Sequence, residues 1–156
     1  MSILRAYLLL LAVVLAALAS AEGSAKAQDS CTIRTTPLSF GTYDVFATTA
    51  LVSTATVTYA CSRHGPLQVT VDLSKGAFAP TNSPRQMSNG GDRLNYNLYL
   101  DSAYTQVWGD PSPYHYDTRN PPNKADVTLT IYALIPAGQD VAAGTYFDTV
   151  ATTINF

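Results

Sequence analysis

Residues 67–74 read LQVTVDLS, and this stretch decides the fold class. Every second side chain in it is apolar, and those between are polar. The apolar positions are Leu67, Val69, Val71 and Leu73. Strict alternation with a period of two is typical of a β-strand that turns one face to a core and the other to water. The stretch therefore predicts a half-buried strand of an antiparallel sheet.

The same alternation recurs on both sides of this stretch. It is present in TATVTYAC (54–61), LNYNLYL (94–100), DVTLTIYALI (126–135) and YFDTVATTINF (146–156), and CTIRTTPLSF (31–40) is extended. Clusters of Gly, Pro, Asn and Asp separate these segments and indicate turns, and no helical periodicity follows residue 27. Six strands, each with one solvent-exposed face, predict an all-β fold of two stacked sheets, an immunoglobulin-like β-sandwich.

The N-terminus indicates export. Residues 1–21 contain an early Arg5, an apolar run shorter than a bilayer span and small residues at the end, which is typical of a secretory signal peptide. Cleavage is expected after residue 21, or as late as residue 27, with the sandwich domain at residues 28–156. Cys31 and Cys61 are the two cysteines of the chain, and an even count in an exported protein predicts one disulfide.

The strand count predicts an incomplete sandwich. A seven-stranded sandwich needs one more strand than the six found, and the last of the six reaches Phe156. We therefore expect an unpaired edge and an apolar groove that invite a strand from another chain. The residues expected to line this groove are Ile33, Leu38, Phe40, Val150, Ile154 and Phe156.

Several stretches together resemble the spore coat protein U domain family. They are CTIRTTPLSFGTYDVF, VTYACS, RQMSNGGDRLNYNLYLDSAYTQVWGD and ALIPAGQDVAAGTYFDTVATTINF, and they span residues 31–156. The family includes pilin subunits of the archaic chaperone–usher pathway. The resemblance implies an incomplete immunoglobulin-like sandwich that receives a strand first from a periplasmic chaperone and then from a neighbouring subunit. It also implies an outer-membrane usher as partner and a final location on the cell surface, in a pilus or a coat.

One departure from the family concerns strand donation. Shaft pilins resembling this chain carry alternating apolar residues before the first cysteine, whereas residues 22–30 here read EGSAKAQDS. This segment has no large apolar residue. The sequence therefore predicts a subunit that accepts a strand but donates none, at a terminal position of a fibre or in a coat.

No enzymatic constellation is evident. The chain lacks a Gly-x-Ser-x-Gly nucleophile motif, and His64 and His115 have no metal-ligand spacing. We expect no catalytic residue, no metal and no cofactor. The balance of 9 basic and 11 acidic residues offers no basic patch for nucleic acid. The alternatives are a stand-alone secreted carbohydrate-binding module and, less in keeping with the sequence, a secreted hydrolase.

Two aromatic segments are candidates for surface contact. Trp108 is expected to be a packing anchor, and the alternative is an exposed Tyr99–Tyr104–Trp108 surface that grips a sugar or another surface. In the Pro-rich loop, Tyr114, His115 and Tyr116 are the candidate contacts with a surface or glycan receptor, because loops at the end of a sandwich often bind ligands.

Overall fold

The LQVTVDLS stretch forms a strand at the centre of the smaller of two sheets. The computed structural model describes residues 28–109 and 115–156. Within them lie eight strands: β1 Ser30–Thr35, β2 Leu51–Ser62, β3 Gln68–Leu73, β4 Arg85–Asn89, β5 Asp92–Tyr99, β6 Tyr116–Arg119, β7 Asp126–Ile135 and β8 Thr152–Asn155. Among these residues, no helix is long and apolar enough to cross a membrane. The predicted signal peptide, residues 1–21 with cleavage as late as 27, lies outside the described residues.

The strands form two antiparallel sheets. One has five strands in the order β1-β2-β7-β5-β4, and the other has three in the order β6-β3-β8. The longest pairing joins β2 to β7, from Leu51 opposite Ile135 to Ala60 opposite Asp126. The predicted immunoglobulin-like all-β sandwich is therefore confirmed.

The core follows the alternation in the sequence. In β3, Val69, Val71 and Leu73 are buried, and β2, β5 and β7 contribute their own alternate apolar residues to the same cluster. Trp108 has no exposed surface, and its indole Nε1 donates a hydrogen bond to the carbonyl of Val71 at 2.8 Å. The predicted packing role of Trp108 is confirmed.

The first two strands are joined covalently. Cys31 in β1 lies directly opposite Cys61 in β2, and their sulfurs are 2.05 Å apart. The predicted disulfide is confirmed, and it fixes the edge strand of the larger sheet to its neighbour.

The strands differ from the sequence expectation in four places. The short strands β4 and β6 were not predicted, the first strand ends at Thr35 and the last begins only at Thr152. The cause of the late start is a change of sheet within residues 147–151. Phe147 pairs with Ser88 of β4 in the larger sheet, whereas the amide of Ser74, just after β3, donates to the carbonyl of Ala151 at 2.9 Å.

Candidate functional site: an open groove beside the last strand

An open groove of ≈ 1320 Å³ runs between the two sheets. Its first wall is the segment 35–45, which follows β1, and its second wall is the segment 141–152, which leads into β8. Most of both walls is extended or irregular chain outside the two ladders. The groove therefore lies where neither sheet has a strand.

The floor of the groove is apolar. It consists of side chains from β2, β5 and β7 together with Leu73 and Met87, all of them buried. These residues are Ala55, Leu73, Met87, Leu94, Tyr96, Leu98, Ile131 and Ile135. The floor of the groove is therefore continuous with the protein core.

The first wall is tied to the larger sheet at its far end. The ring of Phe40 meets the ring of Tyr96 edge to face, with 6.0 Å between centroids. The hydroxyl of Tyr43 donates to the carbonyl of Pro136 at 3.0 Å and accepts a hydrogen bond from the amide of Gln139 at 2.9 Å. These contacts fix the wall without filling the space beside it.

The second wall is held by one carboxylate. Asp148 accepts hydrogen bonds from the amides of Ala77 at 2.8 Å and Thr149 at 2.7 Å, and from the hydroxyl of Tyr96 at 2.7 Å. Burial and the hydrogen bond to Asp148 raise the pKa of Tyr96 well above its usual value, so its hydroxyl remains a donor. Beside these residues, Phe147 leaves 59% of its surface exposed at the groove.

The backbone of β8 has a free edge that starts at the groove, where Thr152 is part of the lining. Ala151 and Ser74 form a hydrogen-bonded pair, and Thr153 lies opposite Asp72 two residues further along. Thr153 and Asp72 are therefore the next pair of the same kind. In an antiparallel ladder, alternate residues turn their amide and carbonyl groups away from the partner strand. Thr152 and Ile154 therefore direct their backbone groups away from β3, and β8 is the last strand of its sheet among the described residues.

A buried arginine supports the strand that β8 pairs with. Arg85 has no exposed surface, and its guanidinium donates to the carbonyls of Leu73 at 3.0 Å and Trp108 at 2.6 Å and to Oδ1 of Asn97 at 3.0 Å. Further bonds reach the carbonyls of Ser74 and Asn82. Burial lowers the pKa of Arg85 to about 10. Sequence reasoning missed this residue, because a charge at a core position interrupts the apolar alternation.

The structure separates the six predicted groove residues into two groups. Leu38, Phe40 and Val150 line the groove. Ile33 and Ile154 pack against the core beyond its lining, and Phe156 follows β8 with 53% of its surface exposed. Their contact with an incoming strand stays a prediction.

The predicted contact loop is described only in part. Tyr114 lies outside the described residues. Nδ1 of His115 is 3.2 Å from Oδ1 of the buried Asp72, and Tyr116 begins β6 with its ring 6.4 Å from that of Tyr59. These two side chains therefore have partners within the sandwich, and their role in binding a receptor stays a prediction.

The alternative surface of Tyr99, Tyr104 and Trp108 needs a correction. Tyr99 and Tyr104 do meet edge to face at 5.6 Å, but Trp108 is fully buried on the other side of the sheet. Tyr132 of β7 takes the third place, with its ring 6.5 Å from that of Tyr104. The sequence signal for Tyr132 was its outward position in β7, but its partner was not apparent without the strand order.

Metal chemistry finds no support in the described residues. Among residues 28–109 and 115–156, no group of three or more His, Cys, Asp or Glu side chains is placed to hold an ion.

Two stacked antiparallel sheets with an open groove over their shared core define an incomplete immunoglobulin-like β-sandwich. The family follows from the sequence itself: residues 16–153 match the Spore Coat Protein U domain, and the chain belongs to that family.

Comparison with individual proteins agrees with this assignment. Protein U of Myxococcus xanthus is 30% identical over 131 residues, which is 76% of this chain and 71% of the relative. A solved structure, the CsuC–CsuE chaperone–tip adhesion subunit pre-assembly complex from archaic chaperone–usher Csu pili of Acinetobacter baumannii, has a chain that superimposes with a TM-score of 0.61 at 24% identity. The match covers 83% of this chain and 40% of that chain, and it shows a shared fold.

Proposed function

We propose that this protein is a structural subunit of a secreted bacterial surface fibre or coat, and that a strand lent by another chain completes its fold. The observation that carries the proposal is the open groove together with the free edge of β8, which starts at the groove with Thr152. A lent strand finds unpaired backbone groups on Thr152 and Ile154 and an apolar floor below. Main-chain bonds would supply the affinity, and alternate side chains in the groove would supply the specificity.

The energy available in the groove is enough to decide whether the domain folds. A lent strand with alternating residues would insert three or four apolar side chains over the floor, and each buried side chain contributes about 1.5–3 kcal/mol. Whole domains are stable by only about 5–15 kcal/mol. We therefore expect the domain with an empty groove to be marginal and the filled domain to be stable.

The order of partners is part of the proposal. A periplasmic chaperone would lend the first strand, and the matched chaperone–subunit pre-assembly complex supports this step. A strand from another pilin or coat subunit would replace it after passage through an outer-membrane usher. Export through the signal peptide would bring the chain to the periplasm and then to the cell surface, where it is structural and adhesive rather than catalytic.

A terminal position is the finer part of the proposal. Residues 22–30, which follow the predicted cleavage site at residue 21, contain no Val, Ile, Leu, Met or aromatic residue. A segment of this composition cannot fill an apolar groove in a neighbour. We therefore propose that the subunit accepts a strand and donates none from this segment. Polymerisation of the purified protein through residues 22–30 would contradict this.

The test is to supply the strand within the same chain. A flexible linker and an alternating apolar strand are added after Phe156, and the control carries the same strand residues in scrambled order. We expect soluble, cooperatively unfolding protein from the alternating strand and aggregated or degraded protein from the control. Equal folding of the unextended chain, the control and the extended protein would instead favour a stand-alone module.

Two point variants locate the strand. Val150→Asn places a polar group in the groove lining, whereas Thr153→Asn changes an exposed side chain of β8 on the opposite face. We expect Val150→Asn to abolish the gain in folding and Thr153→Asn to preserve it. The reverse result would place the added strand elsewhere.

A further inference from the structure

We infer that the outer face of the larger sheet carries a second site, a tyrosine patch that binds a neutral saccharide. The tyrosine patch consists of Tyr99, Tyr104 and Tyr132. Tyr99 of β5 and Tyr132 of β7 lie directly opposite each other, and the ring of Tyr104 stands nearly perpendicular to both, at 87° and 88°. Three rings thus form one continuous aromatic surface from two strands and a loop.

The loop after β5 is built to hold Tyr104 in place. Tyr104 has a φ of 57°, a left-handed backbone that residues other than glycine seldom adopt. Asp101 stabilises this turn: its carboxylate accepts hydrogen bonds from the amides of Gln106 at 2.7 Å and Thr105 at 3.1 Å and from the Thr105 hydroxyl at 2.8 Å. These bonds lower the pKa of the Asp101 carboxyl. An uncommon backbone conformation fixed by several hydrogen bonds is a feature of sites where a side chain must be presented.

The hydroxyls of the patch are available to a ligand. Elsewhere in the protein, the hydroxyls of Tyr43 and Tyr96 donate to protein acceptors. Those of the three patch tyrosines make no hydrogen bond to the described residues. Threonines adjoin the rings: Thr54 lies opposite Tyr132, and Thr56 lies opposite Thr130 on the next outward pair. Ring faces that carry free tyrosine hydroxyls match a sugar, whose C–H face packs on aromatic rings and whose hydroxyls both donate and accept.

The charge around the patch selects a neutral ligand. The outward-facing strand residues next to it are uncharged; they are Val52, Thr54, Thr56, Thr130 and Leu134. The nearby carboxylate of Asp101 is engaged by its own loop. An anionic polysaccharide or nucleic acid would need Arg or Lys side chains here, and these strand neighbours supply none.

The patch is independent of the groove. It lies on the solvent face of β5 and β7, whereas Leu98 and Ile131 from the same strands face the groove on the other side. A strand seated in the groove would leave the patch accessible. The inference therefore does not depend on the proposed strand exchange, and the two can fail separately.

The test uses the mature protein in whichever form folds, with or without a strand donor. Affinity electrophoresis compares gels containing a neutral polysaccharide (dextran, amylose, xyloglucan or galactomannan) with gels containing dextran sulfate. We expect at least one neutral polymer to retard the protein and dextran sulfate to have no effect. Retardation by none of the neutral polymers, or by dextran sulfate alone, would overturn the inference.

Variants of the tyrosine patch test whether the sugar binds there. Tyr104→Asn removes a ring but tolerates the left-handed backbone, and Tyr132→Thr retains a residue that favours strands. Each should lower the association constant about five- to tenfold, the value of one aromatic contact. The matched control is Phe46→Asn, which removes an exposed ring from the segment between β1 and β2, outside both the tyrosine patch and the groove lining. Unchanged binding in both patch variants, or an equal loss in the control, would show that the sugar binds elsewhere.

Discussion

Replacing Arg85 by Met should destabilise the protein by about 3 kcal/mol, a value that follows from the contacts of its guanidinium. Three of the acceptors of Arg85 are buried: the carbonyls of Leu73 and Trp108 and Oδ1 of Asn97. A buried acceptor that loses its donor costs about 1–3 kcal/mol. The three together cost about 3–9 kcal/mol.

Part of this loss is offset, because Met no longer buries a charge. The pKa of Arg85 falls from 12.5 to about 10 on burial. A shift of this size corresponds to a penalty of about 3 kcal/mol on the charged form. The difference leaves a net loss centred on about 3 kcal/mol.

Urea unfolding provides the measurement, and Trp108 provides the signal. Trp108 is the single tryptophan of the chain, and it is buried beside Arg85. The control is Arg93→Met, since Arg93 also bonds a backbone carbonyl and a hydroxyl but is exposed. We expect the control to lose less than about 1 kcal/mol, because exposed polar contacts contribute little. If the two variants unfold at the same urea concentration, the role assigned to the buried guanidinium is wrong.

The disulfide and the groove tyrosine give two further predictions. Changing Cys31 and Cys61 together to Ser should lower the free energy of unfolding by about 4 kcal/mol, which is the chain-entropy value for a loop of this length. A loss of less than about 1 kcal/mol in urea unfolding would contradict this prediction. Above pH 10, an unfolded chain ionises Tyr96 while the folded protein, with its raised pKa, does not, so Tyr96 should contribute a fall in stability of about 1.4 kcal/mol per pH unit. Tyr96→Phe should remove that part of the slope in unfolding measured from pH 9 to 11, and parallel slopes in the two proteins would count against the buried hydroxyl.

The sheets could be predicted from the sequence wherever burial and alternation coincide. In β3 and β7, each apolar residue on the period of two faces the core or packs against it, so the strand and its inner face both follow from the pattern. The disulfide followed from cysteine count and export, without any geometry. These features could be predicted because they depend on residue types and their spacing, which the sequence states directly.

The missed features depend on contacts between distant segments. Arg85 occupies an inward position of β4. Because a charged residue there interrupts the apolar alternation, the pattern did not indicate a strand. Residues 147–151 lie within the stretch 146–156 that the sequence predicts as one strand, but they leave one sheet for the other. Tyr132 joins the tyrosine patch because β7 lies beside β5, and the sequence does not state that order. In each case the deciding partner lies far along the chain.

The change of sheet within residues 147–151 has a mechanical consequence. If a lent strand fills the groove and is pulled along its length, it loads β8 in shear, so its main-chain bonds resist together instead of opening one by one. The second wall passes that tension to the larger sheet at Phe147 and to the smaller sheet at Ala151. The first wall follows β1, which the bond between Cys31 and Cys61 anchors to β2. Both walls would thus distribute the tension over both sheets. A subunit of a fibre that is stretched by flowing liquid needs this property.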